Sequence, residues 1–298
     1  MHRIKKYQTE FILTIFLVAF IYLKAPTLTL PYFWDELGVY SRAALYMHDN
    51  GLSLMPNALP PELSRGHPLL FTFLNATSFT MFGDNVVTGH CTALFFSILF
   101  IIVIYGIVKK TFNRTIALCI AASSLVQPLF VSQSVMVLPE VLLSLCMMLA
   151  LYFFFQEKYV SYAVVSSLAI LVKESAVILP FVVLCSAMII GFGERKRIFH
   201  KKYFSAFFPI LVFGVFLLIQ KQQNGWFLFP YHASAVSFDK DVFISQLADF
   251  SKFLTMEQGR LYITILFLIL NLFSLLLNWK NSEWKYVNLV LFLMVTGI

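Results

Sequence analysis

Long apolar runs broken by short basic loops dominate this sequence and leave it few folds to adopt. Residues 11–30, 86–108, 115–131, 135–155, 160–172, 175–190, 203–219 and 261–277 are nearly free of charge. A helix needs about 20 apolar residues to cross the hydrocarbon of a bilayer. Charged residues form 12% of the chain against 59% hydrophobic ones, whereas soluble domains carry about 25% charge. The chain therefore reads as an all-α polytopic transmembrane bundle, a single domain over residues 1–298. The first run has no small-residue cleavage site and reads as an uncleaved anchor. Residues 287–298 open a further span that stops short of the usual length, so a truncated carboxy-terminal end is expected.

The basic residues set the orientation. His2-Arg3-Ile4-Lys5-Lys6 precedes the first span and is expected on the cytoplasmic side. Lys109, Lys110 and Arg114 form the next cluster. Placing both inside requires an even number of crossings between them. The short stretch 69–82, which holds Asn75, Thr77, Ser78 and Thr80, then lies in the outer interface or re-enters part way. Residues 31–86 become an outer loop with interfacial helices, and 220–260 a second outer loop. Lys158, the 194–202 cluster, Lys280 and Lys285 return to the inner side. The net charge of +7 belongs to these inner loops, which removes nucleic acid as a partner and leaves membrane lipids. Cys91, Cys119, Cys146 and Cys185 lie within apolar runs without CxxC spacing and read as buried, inert thiols.

With that topology, polar residues distant in sequence reach one face. Asp35 and Glu36 leave the first span in Tyr32-Phe33-Trp34-Asp35-Glu36, and Arg65-Gly66-His67-Pro68 returns to the membrane. Glu140 follows Pro139 at a span edge, Lys173-Glu174 interrupts a helical pair, and Trp226 and His232 lie in the second outer loop. Ionisable groups beside hydrocarbon are costly and usually face a cavity or substrate path. Plainer readings exist for each. Asp35-Glu36 can cap an interfacial helix, Glu140 can pair structurally with Lys173 or Arg65, and Lys173 can snorkel to headgroups. Asp35, Glu36 and Glu140 offer oxygens to a divalent ion, yet no ligand spacing demands one. The expectation is no metal and no cofactor.

Asp35-Glu36, Gly66-His67-Pro68-Leu69, Phe82-Gly83-Asp84, Leu138-Pro139-Glu140 and Leu168-Ala169-Ile170-Leu171-Val172-Lys173-Glu174 occur in an order that resembles a known pattern. It is similar to integral-membrane glycosyltransferases that use polyprenyl-phosphate sugars, including dolichyl-phosphate-mannose protein mannosyltransferases and lipid A aminoarabinose transferases. The resemblance covers about residues 1–235 and implies a bundle of the GT-C type. It implies a polyprenyl-phosphate sugar as donor and a lipid, glycan or protein as acceptor. It makes Asp35 the catalytic base. Lys173, Arg65 and His67 would bind the donor phosphate. Glu36, Glu140, His232 and Trp226 would contact sugar or acceptor. The compact chain, without a lumenal domain, is expected in a bacterial inner membrane, and the charge topology puts the site on the extracytoplasmic face. Two departures stand out: Gly89-His90 where an arginine is common after Phe-Gly-Asp, and Leu69 in place of a second proline. A transporter or flippase is the alternative reading, since a polar cavity among helices suits it equally. A non-catalytic membrane scaffold is a third.

Overall fold

A computed structural model describes residues 7–194, 201–235 and 239–256, with Leu261, Tyr262, Ile265, Leu268, Ile269 and Leu272 beyond them. The spans expected at 261–277 and 287–298, and Arg195, Lys196 and Arg197, lie largely or wholly outside the described residues. Among those described, every regular element is helical. The apolar helix α1 (Gln8–Lys24) continues into a 3-10 turn at Ala25–Thr29. After a π turn at Glu36–Tyr40 come α2 (Ser41–Asn50), a single turn at Pro61–Ser64, and α3 (Leu70–Phe82). The long helix α4 (Val86–Thr111) and α5 (Arg114–Val126) follow. Next are α6 (Pro128–Gln133), α7 (Glu140–Phe155) and α8 (Tyr159–Val172). A 3-10 turn (Glu174–Val177) leads into α9 (Ile178–Glu194) and α10 (Lys201–Asn224). The short α11 (Pro230–Ala235) and α12 (Lys240–Met256) complete the set.

Among the described residues, three stretches have the length and composition to cross a membrane: Gln8–Thr29, Val86–Thr111 and Phe204–Asn224. They bury little of themselves against protein, 17% to 28% of the most apolar window, and exposed Phe11, Leu23, Phe95 and Phe204 face outward. Such a surface suits lipid, which is as apolar as the side chains themselves. The remaining apolar helices are shorter, from 13 to 17 residues.

The structure departs from the sequence reading at several places, for local reasons. The run 115–131 is not one helix. Pro128 has no N–H to continue the ladder and disfavours helical backbone before it, so α5 ends at Val126. The Gln127 side chain then accepts from the Phe130 N–H and starts α6. Helix α7 begins at Glu140, not at residue 135, and Pro139 precedes it. Within the second expected outer loop the described residues are largely helical: α10 runs on to Asn224, and α11 and α12 follow. Cys91 and Cys119 are exposed on helix surfaces, whereas Cys146 and Cys185 are half-buried. The turn at 156–158 forms as expected, with Glu157 at positive φ.

The helix ends show which loops lie together. At one end Glu10 of α1 meets Lys109 of α4 at 2.7 Å, with Arg114 of α5 at 3.9 Å. At the opposite end Lys24 donates to the Val131 carbonyl, and His90 bonds the Leu28 carbonyl at 2.9 Å. Helices α1 and α4 are therefore antiparallel, and the segment 29–86 both starts and finishes at the second end. This agrees with the even number of crossings required by the basic clusters. Phe71, Val137, Leu142, Leu145 and Val172 form an apolar core beneath that end, so α3, α7 and α8 share one floor.

Candidate functional site

The loop between α1 and α2 bends sharply where its acids lie. Trp34 adopts a φ of 54° and is largely exposed, an uncommon conformation for a bulky residue and one that needs support from its surroundings. The π turn that follows rotates successive side chains apart. Asp35 points to solvent, while Glu36 is only 2% exposed. Such single π turns are frequent at functional sites.

Glu36 is saturated by protein donors. Its Oε1 accepts from His90 Nε2 and from the Val137 N–H, each at 2.8 Å, and its Oε2 accepts from the Phe33 N–H at 3.2 Å. The sugar contact implied for Glu36 is thus not how the resting chain presents it. The carboxylate faces inward and holds the loop.

Tyr40, one turn beyond Asp35, lies where the other charges meet. It is half-buried, and its ring packs edge-on against Phe71 at 5.7 Å. Burial pushes its phenol pKa well up. The carboxylates of Glu140, Glu174 and Asp35 push it further, and Arg65 partly offsets them. Four charged groups from four separate segments therefore act on one hydroxyl. The sequence reading missed Tyr40, because a tyrosine five residues after an acid carries no distinguishing pattern.

Two ion pairs frame the cleft. Lys173 Nζ donates to Glu140 Oε1 at 2.8 Å, the structural pairing offered above as the plainer reading of Glu140. An ammonium has three donors, so this bond leaves two for a ligand. Glu140 Oε2 is buried with no hydrogen-bond partner among the described residues. Lys173 can reach this position because its backbone is extended, at φ −157°, between α8 and the next 3-10 turn. His67 Nδ1 sits 2.9 and 3.0 Å from the two oxygens of Glu174. Tyr40, Ser64, His67, Thr72 and Lys173 line the cleft between these pairs.

The segment after α10 packs against the Arg65–Gly66 turn and His67. Arg65 and Gly66 both take positive φ. A Cβ on Gly66 would stand 3.0 Å from Trp226 Cζ3, so the indole lies directly on the turn. The His232 ring lies 5.8 Å from that of His67 and 5.7 Å from Phe229. Arg65, His67, Trp226 and His232 are thereby brought together. Glu140 also borders an open groove beside α5 and α6, lined by Phe100, Gln127, Leu129, Phe130, Val141 and Ser144. Among the described residues no three His, Cys, Asp or Glu side chains gather as metal ligands.

A helical membrane bundle with acids and bases gathered at one end defines a class, the polytopic membrane proteins that work on substrates at the bilayer surface. The family model of the dolichyl-phosphate-mannose-protein mannosyltransferases matches residues 66–220, about half of the chain, and the chain belongs to that family. It is a membrane glycosyltransferase of the mannosyltransferase type with the GT-C helical architecture. The match contains His67, Glu140, Lys173 and Glu174, while Asp35 and Glu36 precede it. No curated protein and no solved structure matches the chain.

Proposed function

We propose that this protein moves a sugar from a polyprenyl-phosphate donor to an acceptor hydroxyl on a lipid, glycan or protein, with inversion at the anomeric carbon. The reaction takes place on the extracytoplasmic face of a bacterial inner membrane, with the amino terminus in the cytoplasm. The observation that carries this reading is the pairing of Lys173 with Glu140 at 2.8 Å and of His67 with Glu174 at 2.9 Å around one cleft, which Tyr40, His67 and Lys173 line.

Asp35 is the exposed acid of the cluster and acts as the base. It takes the acceptor proton as that oxygen bonds the anomeric carbon and the bond to the lipid phosphate breaks. The departing phosphate gains negative charge, which the two unused donors of Lys173 and the Arg65 guanidinium stabilise. Glu140 holds Lys173 in place and contacts sugar or acceptor once the cleft opens around its enclosed second oxygen. His67, fixed by Glu174, offers its second ring nitrogen to the phosphate. Trp226 and His232 cover the sugar. The groove beside Glu140, with Phe100, Leu129, Phe130 and Val141 on its walls, suits the polyprenyl chain.

Transfer from a radiolabelled polyprenyl-phosphate sugar in membranes tests the proposal, comparing the wild type with Asp35→Asn. Loss of labelled product in the variant is expected, and unchanged turnover removes Asp35 from the mechanism. Donor movement across the bilayer without a new glycosidic bond would favour a transporter.

A further inference from the structure

Glu36 and His90 are 54 positions apart, and the transfer chemistry uses neither directly. Both side chains are almost fully enclosed, at 3% and 4% exposure. The His90 ring uses both nitrogens. Nδ1 faces the Leu28 carbonyl at 2.9 Å and Nε2 faces the Glu36 carboxylate at 2.8 Å. Both ring nitrogens are thus engaged by oxygens of other segments, which ties helix α4 to the loop and fixes the plane of the ring. The Tyr32 ring packs edge-on against it at 5.2 Å. Glu36 spreads its bonds over three segments: the loop at Phe33, helix α4 through His90, and Val137 before α7. Asp35 is the residue immediately before Glu36, and Val137 is three residues before Glu140. One buried carboxylate therefore connects the backbone under the proposed base to the backbone under the Lys173 partner.

We propose that Glu36 and His90 are positioning residues, a buried clamp that sets the distance between Asp35 and the Glu140–Lys173 pair. This rests on the transferase reading for its kinetic arm only. A tie at one end of the bundle fixes relative placement and adds no contact to the substrate. Its loss should lower kcat and leave the donor KM nearly unchanged, because misplacement of reacting groups costs rate rather than ground-state binding. The Leu28 carbonyl, the Glu36 carboxylate and the Tyr32 ring surround the His90 ring.

The test uses the full chain in lipid nanodiscs, with hydrogen exchange at the Phe33 and Val137 amides beside steady-state transfer. His90→Ala should speed exchange at both amides and lower kcat by about 10- to 100-fold, with KM changed less than about threefold. His90→Arg, which keeps several donors facing Glu36 and Leu28, should restore protection and rate. Unchanged exchange at both amides in His90→Ala, or a rise in KM alone, would overturn the clamp. Should that variant fail to fold, His90→Gln is judged by the same criteria. If the wild type transfers no sugar at all, the transferase reading fails while the exchange arm still decides the clamp.

Discussion

Replacing Lys173 by Met separates what its ion pair contributes to stability from what it contributes to rate. The Lys173 and Glu140 side chains are 26% and 36% exposed, so solvent screens the pair and its loss should cost only about 1 kcal/mol of stability. Removing a donor aimed at developing negative charge costs more, about 3–4 kcal/mol, equivalent to 10²–10³ in kcat. Lys173→Met should therefore slow transfer by at least about 100-fold while thermal unfolding moves by a few degrees at most. The assay is single-turnover transfer from a radiolabelled polyprenyl-phosphate sugar in proteoliposomes. Glu140→Gln, which leaves the ammonium in place and frees it for phosphate, should keep far more activity and tighten the donor KM. The double variant decides the cause. If Lys173 serves the leaving phosphate, Lys173→Met with Glu140→Gln stays as slow as Lys173→Met alone. Recovery of wild-type turnover in the double variant would mean that Lys173 only neutralises Glu140, and would refute the phosphate role.

Asp35→Asn should abolish measurable transfer with no change in thermal stability, because Asp35 is exposed and lies outside the buried clamp. Gly66→Ala should destabilise the chain by about 1–2 kcal/mol in thermal unfolding, since φ is +77° and the new Cβ meets Trp226. Trp226→Gly in the same background should recover only the steric part. Tyr32 is held neutral: burial, then the nearby Glu36 carboxylate, pushes its pKa up to about 12. The folded state therefore favours the protonated phenol, and that stabilisation is complete below the unfolded value of about 10 and lost as pH rises towards 12. Difference spectra between wild type and Tyr32→Phe should show no tyrosinate from this residue until that upper limit. Its ionisation near the unfolded value would contradict the buried placement.

The membrane bundle was legible because lipid imposes a composition that no soluble core needs. Charge placement also gave the correct parity: the Glu10–Lys109 pair and the His90–Leu28 bond lie at opposite ends of α1 and α4. Asp35 and Lys173 stood out because an ionisable group at a span edge is costly. Other features were hidden by distance along the chain. Nothing near Glu36 reveals that its partners are His90 and Val137, and the two carboxylates of Asp35-Glu36 look equivalent until the π turn sends them opposite ways. Hydropathy averages also blur breaks such as Gln127-Pro128, where a single missing N–H divides an otherwise uniform run. Tyr40 gains its character from burial and then from charges mostly on other segments, which no local pattern encodes.

The central claim is that Asp35, Glu140 and Lys173 meet at one extracytoplasmic surface beside the lipid. Cysteines placed singly at Phe33, Leu138 and Ser175, in a chain whose four native cysteines are replaced, can be labelled in right-side-out vesicles with a membrane-impermeant thiol reagent. All three should react from outside, and donor lipid should slow labelling at each. Labelling of any one of them only after the vesicles are opened would place the groups on opposite sides of the bilayer and contradict the account.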